Sequence, residues 1–260
     1  MSRYGPGVAT VAFLHAHPDD EAIFSGGTMA ALAAAGHRVV LLVATGGELG
    51  SAIDHSPLHE ARRAEADAAA ALLGAAAVHH LGYGDSGLAG DPANTADGAF
   101  FAVDRAEAAG RVAGLLRLES VDALVVYDDH GIYGHPDHVQ GHLVGLAAAE
   151  LAGVAHRYEM TVDREYLHFV ETHLVEEAAL AGDLGLAGSR VGLASVEIDL
   201  TIDVRAHLEA KRSAMAAHRS QLPEHAPVFG LAPDRFAEVY GWEWYRRLGP
   251  PGPLDDLNVS

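Results

Sequence analysis

The chain has 260 residues, a formal net charge of -19 and no cysteine, with 49% hydrophobic and 20% charged residues. That length allows one large domain with a full core, and the charge argues against nucleic acid or an anionic membrane surface as partner. Without thiols there are no disulfides, thiolate zinc sites or iron–sulfur clusters, so any transition metal must be held by Asp, Glu or the 17 histidines.

Thr10 to His15 is a short apolar run suited to a buried strand. Gly26 and Gly27 precede a helical stretch, Thr28 to Ala35, that Gly36 closes. The pair marks a helix start or a close backbone approach, because the G-x-G-x-x-G spacing of a dinucleotide fingerprint is missing. Arg38 to Ala44 reads as a second strand, Leu58 to Leu73 as an Ala-rich helix stopped by Gly74, and Ala77 to Leu81 as a third strand. Gly82 to Ala99, rich in Gly, Asp and Asn, is a long surface loop of the kind that usually carries function. A helix over Val103 to Leu118 and a strand over Ala123 to Tyr127 follow, then a Gly- and His-rich loop and a helix from Asp137 to Leu151.

After Gly153 the pattern is less regular: a strand near Tyr158 to Val162, a helix over Glu165 to Ala181, a strand at Val196 to Ile202, and an amphipathic helix from Val204 to Gln221. The final stretch is Pro-rich and contains Trp242 and Trp244. The alternation predicts an α/β fold: a single Rossmann-like domain over 1–260, its mostly parallel sheet covered by helices on both faces. Its core spans about 8–162, with a less regular C-terminal extension over 163–260. No apolar run approaches the ~20 residues of a membrane span, and Met1 to Gly7 lacks the basic start of a secretory signal, so the chain reads as cytoplasmic. Its composition leaves the oligomeric state open, a homo-oligomer included.

Two dense motifs carry the chemistry. The first strand ends in His15-Ala16-His17-Pro18-Asp19-Asp20-Glu21, which crowds imidazoles and carboxylates onto one strand-to-loop junction. Adjacent carboxylates repel unless a cation uses them as ligands or as a base; the plainer reading is an acidic turn in which Asp19 or Asp20 caps the next helix. The fourth strand ends in Tyr127-Asp128-Asp129-His130, followed by Tyr133-Gly134-His135-Pro136-Asp137-His138. Two histidines three apart beside a Pro-fixed turn form a ligand-like pair. In an open doubly wound sheet the first and fourth strands are commonly neighbours where strand order reverses, and ligands bind outside their carboxyl ends. Three ligands with an open position make a catalytic zinc site, which lowers the pKa of a bound water and polarises a carbonyl, while a free carboxylate serves as base.

Ala16-His17-Pro18-Asp19-Asp20-Glu21 with His135-Pro136-Asp137-His138 resembles the PIG-L-type (LmbE-like) de-N-acetylases, which include N-acetylglucosaminyl-inositol deacetylases and mycothiol-conjugate amidases. The likeness runs from about Val11 to His142 and includes Gly47-Glu48, Arg62 with Glu65, and Asp85-Ser86-Gly87; Ala217-His218-Arg219-Ser220-Gln221 resembles an element often found near the family's C-terminal end. It implies that His17, Asp20 and His138 bind zinc, or another divalent ion such as Fe2+, and that Asp19 is the general base. It further implies that His135 stabilises the tetrahedral intermediate, that Asp137 orients His135, and that Tyr133 helps polarise the carbonyl. Arg62, Asp85 and, more weakly, Glu48 match positions that contact a polar, hydroxyl-rich substrate. A surface ion pair for Arg62 and a turn for Asp85 are the plainer readings.

The resemblance implies a hydrolase that frees the amine of an N-acylated amino sugar or sugar conjugate, with a mycothiol-conjugate-type amidase as alternative. A non-haem iron oxygenase would also use two histidines and a carboxylate, but on a jelly roll. A noncatalytic metal- or sugar-binding module would need none of Asp19, Tyr133 and His135. Substrate choice is expected to lie in loops such as Ser51 to Pro57 and Gly82 to Ala99 and in the C-terminal third.

Overall fold

The computed structural model describes residues 7–50, 58–170 and 191–258. Along the first half run β1 (Thr10–His15), α1 (Asp20–Phe24), α2 (Gly26–Ala34), β2 (Arg38–Thr45), α3 (Leu58–Leu72), β3 (Ala77–Tyr83), α4 (Arg105–Leu118) and β4 (Ala123–Tyr127). Then follow α5 (Gly131–Gly134), α6 (Pro136–Ala152), β5 (His156–Thr161), α7 (Arg164–Phe169), β6 (Leu200–Asp203), α8 (Leu208–Ala217), α9 (Pro227–Gly230), α10 (Pro233–Tyr240) and β7 (Trp242–Arg247).

β1, β2 and β4 are almost wholly buried, and their apolar residues run without polar alternation because helices cover both faces of the sheet. Successive side chains still divide between two cores, as the two-residue period of a strand requires. Val11, Phe13, Val39 and Leu41 pack with α1, α2, α3, α8 and α10. Ala12, Leu14, Val40 and Leu42 pack with α4 and α6. The sheet order is β3-β2-β1-β4-β5-β7-β6. β1 pairs in parallel with both β2 and β4, so the expected neighbours do meet and the strand order reverses between them. This is the switch point at which a crevice opens outside the carboxyl ends.

Among the described residues, the C-terminal third is more regular than its sequence implied. The Trp-bearing stretch forms β7, antiparallel between β5 and β6. Its buried face carries Glu243, 2% exposed, and this charge hides the strand in a hydropathy pattern. The carboxylate is satisfied by the amides of Gly27 and Thr28, each at 2.8 Å, and by Lys211 Nζ at 2.6 Å. That clamp also explains why α2 begins at Gly26, ahead of the expected Thr28, since a carboxylate at a helix start satisfies free amides. A Cβ on Gly27 would lie 2.4 Å from Val204 Cβ, so the close approach needs glycine. The expected strand at Val196 to Ile202 is β6 alone, because Ser195–Glu197 forms a 3-10 turn that leaves Val196 exposed. The expected helix over Val204 to Gln221 is α8, preceded by a separate 3-10 turn at Arg205–His207. Of the helix expected over Glu165 to Ala181, α7 is described, and the remainder from residue 171 lies outside the described residues, as does the loop Ser51 to Pro57. Among the described residues no helix is long and apolar enough to cross a membrane.

Candidate active site

The first motif turns sharply as it leaves β1. The His17 amide donates to Asp20 Oδ2 at 2.9 Å, and the Tyr127 hydroxyl donates to the same oxygen at 2.6 Å. Asp19 has φ +113°, a left-handed conformation rare for a residue with a side chain. Its amide donates to Glu21 Oε2 at 3.0 Å, and its carbonyl receives the Ala22 and Ile23 amides that open α1. Arg62 Nη2 lies 3.1 Å from Asp19 Oδ2.

The second motif is built by an analogous turn beyond β4. Asp128 accepts the Ile132 amide at 2.7 Å and the Thr161 hydroxyl at 2.6 Å, holding Ile132 at φ +62°. Pro136 occupies the first turn of α6, where its missing N–H costs nothing, so His135 ends the loop and Asp137 and His138 open the helix.

The two motifs meet. The His17 and His135 rings are 4.5 Å apart, His135 and His138 5.0 Å, and His17 and His138 5.4 Å, and nitrogens of all three lie within 4.8 Å of one another. Asp20 Oδ2 stands 3.3 Å from His17 Nδ1 and 3.4 Å from His138 Nε2. The Tyr133 ring is 5.0 Å from that of His138 and 6.0 Å from that of His135.

Two side chains, Arg62 and Asp85, lie deeper than a substrate contact implies. Arg62, expected to face the substrate, is 3% exposed beneath the crevice and donates to the carbonyls of Gly47 and Pro18, each at 2.5 Å, as well as to Asp19. Asp85 is drawn inward, with Oδ1 3.6 Å from His17 Nε2, and its oxygens accept the Gly87 and Leu49 amides. Asp137, expected to orient His135, meets it through its backbone amide, which donates to His135 Nδ1 at 3.2 Å. Its carboxylate instead lies 3.2 Å from His17 Nε2 and accepts the Ser86 amide. Glu48 stays exposed at the rim, its Oε1 accepting the Asp85 amide at 2.9 Å.

The electrostatics favour a cation at this point. Burial would lower the His17 pKa, but Asp137, Asp20 and Asp85 hold it well above its usual value. Burial would raise Asp20, but His138 and His17 hold it well below the usual carboxylate range. Asp19 is pushed up to about 6 by burial, against the pull of Arg62. His135 is pushed down to about 3 by burial and by His17 and His138 beside it. Neither His138 ring nitrogen, nor Asp137 Oδ1, has a hydrogen-bond partner among the described residues, although all are buried. Unpaired buried polar atoms are costly. Imidazoles and carboxylates aimed at one point fit a divalent metal.

Residues 12–149 match the family model of GlcNAc-PI de-N-acetylase, PIG-L. The 1D-myo-inositol 2-acetamido-2-deoxy-alpha-D-glucopyranoside deacetylase of Thermomonospora curvata is 36% identical over 272 aligned positions, covering 94% of this chain and 92% of its own. The chain belongs to the PIG-L family of de-N-acetylases. It is therefore a hydrolase of an amide C–N bond. Among solved structures, the N,N'-diacetylchitobiose deacetylase of Pyrococcus horikoshii shares the fold, with a TM-score of 0.59 and 23% identity over 92% of this chain and 84% of its own. So does the 4-carboxy-2-hydroxymuconate hydratase of Pseudomonas putida, with a TM-score of 0.63 and 16% identity over 95% of this chain and 98% of its own. The same architecture thus hosts unlike chemistries, and the PIG-L assignment rests on sequence rather than on shape.

Some residues that shape this PIG-L crevice lie within the sequence motifs but are given no role there. Tyr127 looks like the last apolar residue of a buried strand, yet its hydroxyl receives the Ala16 amide at 2.7 Å and its ring stacks on His138 at 4.1 Å. Its place at the carboxyl end of β4 is the signal that could have found it. Ser86, beside the noticed Asp85, ties the long loop to Asp137 through its amide and to Phe101 through its hydroxyl.

Proposed function

We propose that this protein deacetylates an N-acetylated amino sugar joined to a cyclitol, of the class named by its relatives, 1D-myo-inositol 2-acetamido-2-deoxy-alpha-D-glucopyranoside. The observation that carries the reading is the meeting of His17, Asp20 and His138 with a carboxylate, Asp19, turned on a left-handed backbone beside them. His17, Asp20 and His138 hold the metal in this reading, and an imidazole-and-carboxylate set suits Zn2+, with Fe2+ the next candidate. Such an ion supplies Lewis-acid polarisation of the amide carbonyl and makes water a better acid.

The remaining steps belong to the chain's own groups. Asp19 takes a proton from the attacking water and later returns one to the leaving amine. Arg62 acts on Asp19, because Nη1 donates to the Gly47 carbonyl and Nη2 to the Pro18 carbonyl and to the base itself. His135 accepts the Asp137 amide at Nδ1, so the neutral ring carries its proton on Nε2 and donates it to the developing oxyanion. Burial and the neighbouring carboxylates hold the Tyr133 pKa above its usual value, so its hydroxyl stays protonated as a second donor. Beside Tyr133 opens a cavity of about 560 Å3 lined in part by Asp129, His130, Arg164, Leu193 and Arg246. Its mixture of carboxylate, guanidinium and apolar wall suits a hydroxylated ring beyond the amide.

Free-amine release by Zn2+-loaded and Fe2+-loaded enzyme tests this reading, with the inositol conjugate, N-acetylglucosamine and a thioether-linked mycothiol-type conjugate as substrates. The conjugate with inositol is expected to exceed N-acetylglucosamine in kcat/KM by at least about tenfold, the equivalent of one good contact. Equal rates on the two sugars would remove the cyclitol from the proposal, and cleavage confined to the thioether conjugate would replace it with the amidase.

A further inference from the structure

The C-terminal third reaches the base through a buried pair that takes no part in the chemistry described above. His218 follows the last turn of α8, where the backbone leaves helical geometry, and its ring is fully buried. Its Nε2 stands 2.6 Å from Oε1 of Glu21, 197 positions earlier in the chain and also fully buried. The second oxygen of Glu21 accepts the Asp19 amide. His218 Nδ1 has no hydrogen-bond partner among the described residues, so Glu21 alone orients the ring's polar edge.

The far end of this chain of contacts is anchored on the same helix that grips Asp19 from the other side. The Ser220 amide and hydroxyl donate to Glu65 at 2.9 and 2.6 Å. Glu65 lies one turn along α3 from Arg62, so the two share a face of that helix. α3 therefore holds the Asp19 carboxylate through Arg62 and fixes the segment bearing His218 through Glu65. The Glu21 carboxylate is thus fixed at both oxygens, Oε1 by His218 Nε2 and Oε2 by the Asp19 amide, and a buried carboxylate that loses either donor is free to turn away from the other.

We propose that His218 is a positioning residue for the general base: acting through Glu21, it fixes the amide of Asp19 in its left-handed conformation and so aims the Asp19 carboxylate. This rests on the reading of Asp19 as the base. The family match over residues 12–149 does not reach His218, and nothing in the metal set requires it.

The test is a double-mutant cycle on metal-replete enzyme, with kcat, KM and metal content measured for each variant. His218→Ala is expected to lower kcat by about 10- to 100-fold, the range for groups that orient a metal site from outside, while KM and metal content change less than about twofold. His218→Gln, whose amide replaces Nε2, is expected to recover most of the loss. His218→Asn keeps a polar group but withdraws the donor from Glu21, and is expected to recover little; this pair carries the comparison should the alanine variant fail to fold. In an Asp19→Asn background the His218 substitution is expected to cost less than about twofold, because its route to the reaction is already gone. An unchanged kcat in folded, metal-replete His218 variants, or the same loss in both backgrounds, would overturn the positioning role. Near-normal turnover of Asp19→Asn alone would instead overturn the assignment of the base.

Discussion

Asp19 and Ile132 are non-glycine residues at positive φ, and each sits at the tip of one of the two site motifs. Such conformations cost of order 1–3 kcal/mol each and persist only where the surroundings impose them. At Asp19 the surroundings are explicit: Glu21 on the amide, two α1 amides on the carbonyl, and Arg62 on the carboxylate. Strain held in this way should separate stability from activity. Glycine adopts φ +113° without a Cβ penalty but adds about 0.5–1 kcal/mol of chain entropy to be lost on folding. Asp19→Gly is therefore expected to leave the protein as stable as before or up to about 2 kcal/mol more stable, while turnover falls by about 10² or more. Urea unfolding and free-amine release on one preparation decide it; a loss of stability beyond about 1 kcal/mol would mean that the carboxylate contributes more to the fold than its backbone costs. The sequence made His17, Asp19, Asp20, His135 and His138 readable because each lies in a dense motif at a strand end. It could not tell which neighbour Arg62 or Asp137 would choose, because that depends on side-chain direction across the crevice.

Elements were legible where their burial is simple. β1, β2 and β4 are buried on both faces and appear as unbroken apolar runs, and α4 and α6 end near residues that interrupt a helix. β7 was missed because its inward face presents Glu243, an acidic residue in a place where hydropathy expects an apolar one. That residue knots three elements together, capping α2 and pairing with Lys211 of α8, both side chains 2% exposed. Breaking a buried pair by removing one partner leaves an uncompensated charge and typically costs about 3–5 kcal/mol. Lys211→Met is accordingly expected to lower stability by about that amount. Lys211→Met with Glu243→Gln should recover part of the loss, since the amide oxygen still accepts from Gly27 or Thr28 and no charge is stranded. Urea midpoints give both values; a double variant no better than the single would show that the pair's packing, rather than its charge balance, holds β7 to α2.

On the scale of the whole molecule, the alternation of strands and helices already implied the sheet and its switch point, whereas the antiparallel edge at β7 depends on contacts distant in sequence. The switch point gathers Asp20, Asp85 and Asp137 around three histidines, in a chain whose net charge is -19. Only the folded chain brings these groups together, so a metal that binds there must stabilise the fold in proportion to its occupancy. At a free concentration of 100 times Kd the gain is about 2.7 kcal/mol, and at roughly 2–4 °C per kcal/mol for a protein of this size the melting temperature should rise by about 5–10 °C. Imidazole ligands favour Zn2+ or Fe2+ over Mg2+, which prefers water and carboxylate oxygens, so Mg2+ at the same concentration should give a much smaller shift. Screening of the net negative charge also stabilises the chain, but it follows ionic strength and is indifferent to any single ligand. His138→Ala separates the two effects, because it removes one proposed ligand while leaving the carboxylates in place. Melting curves of wild type and His138→Ala, after chelator treatment and with each ion restored at constant ionic strength, should show the Zn2+ shift in the wild type alone. Equal shifts from Zn2+ and Mg2+, or a full Zn2+ shift in His138→Ala, would mean that the ion neutralises the acidic surface and that the crevice is not its site.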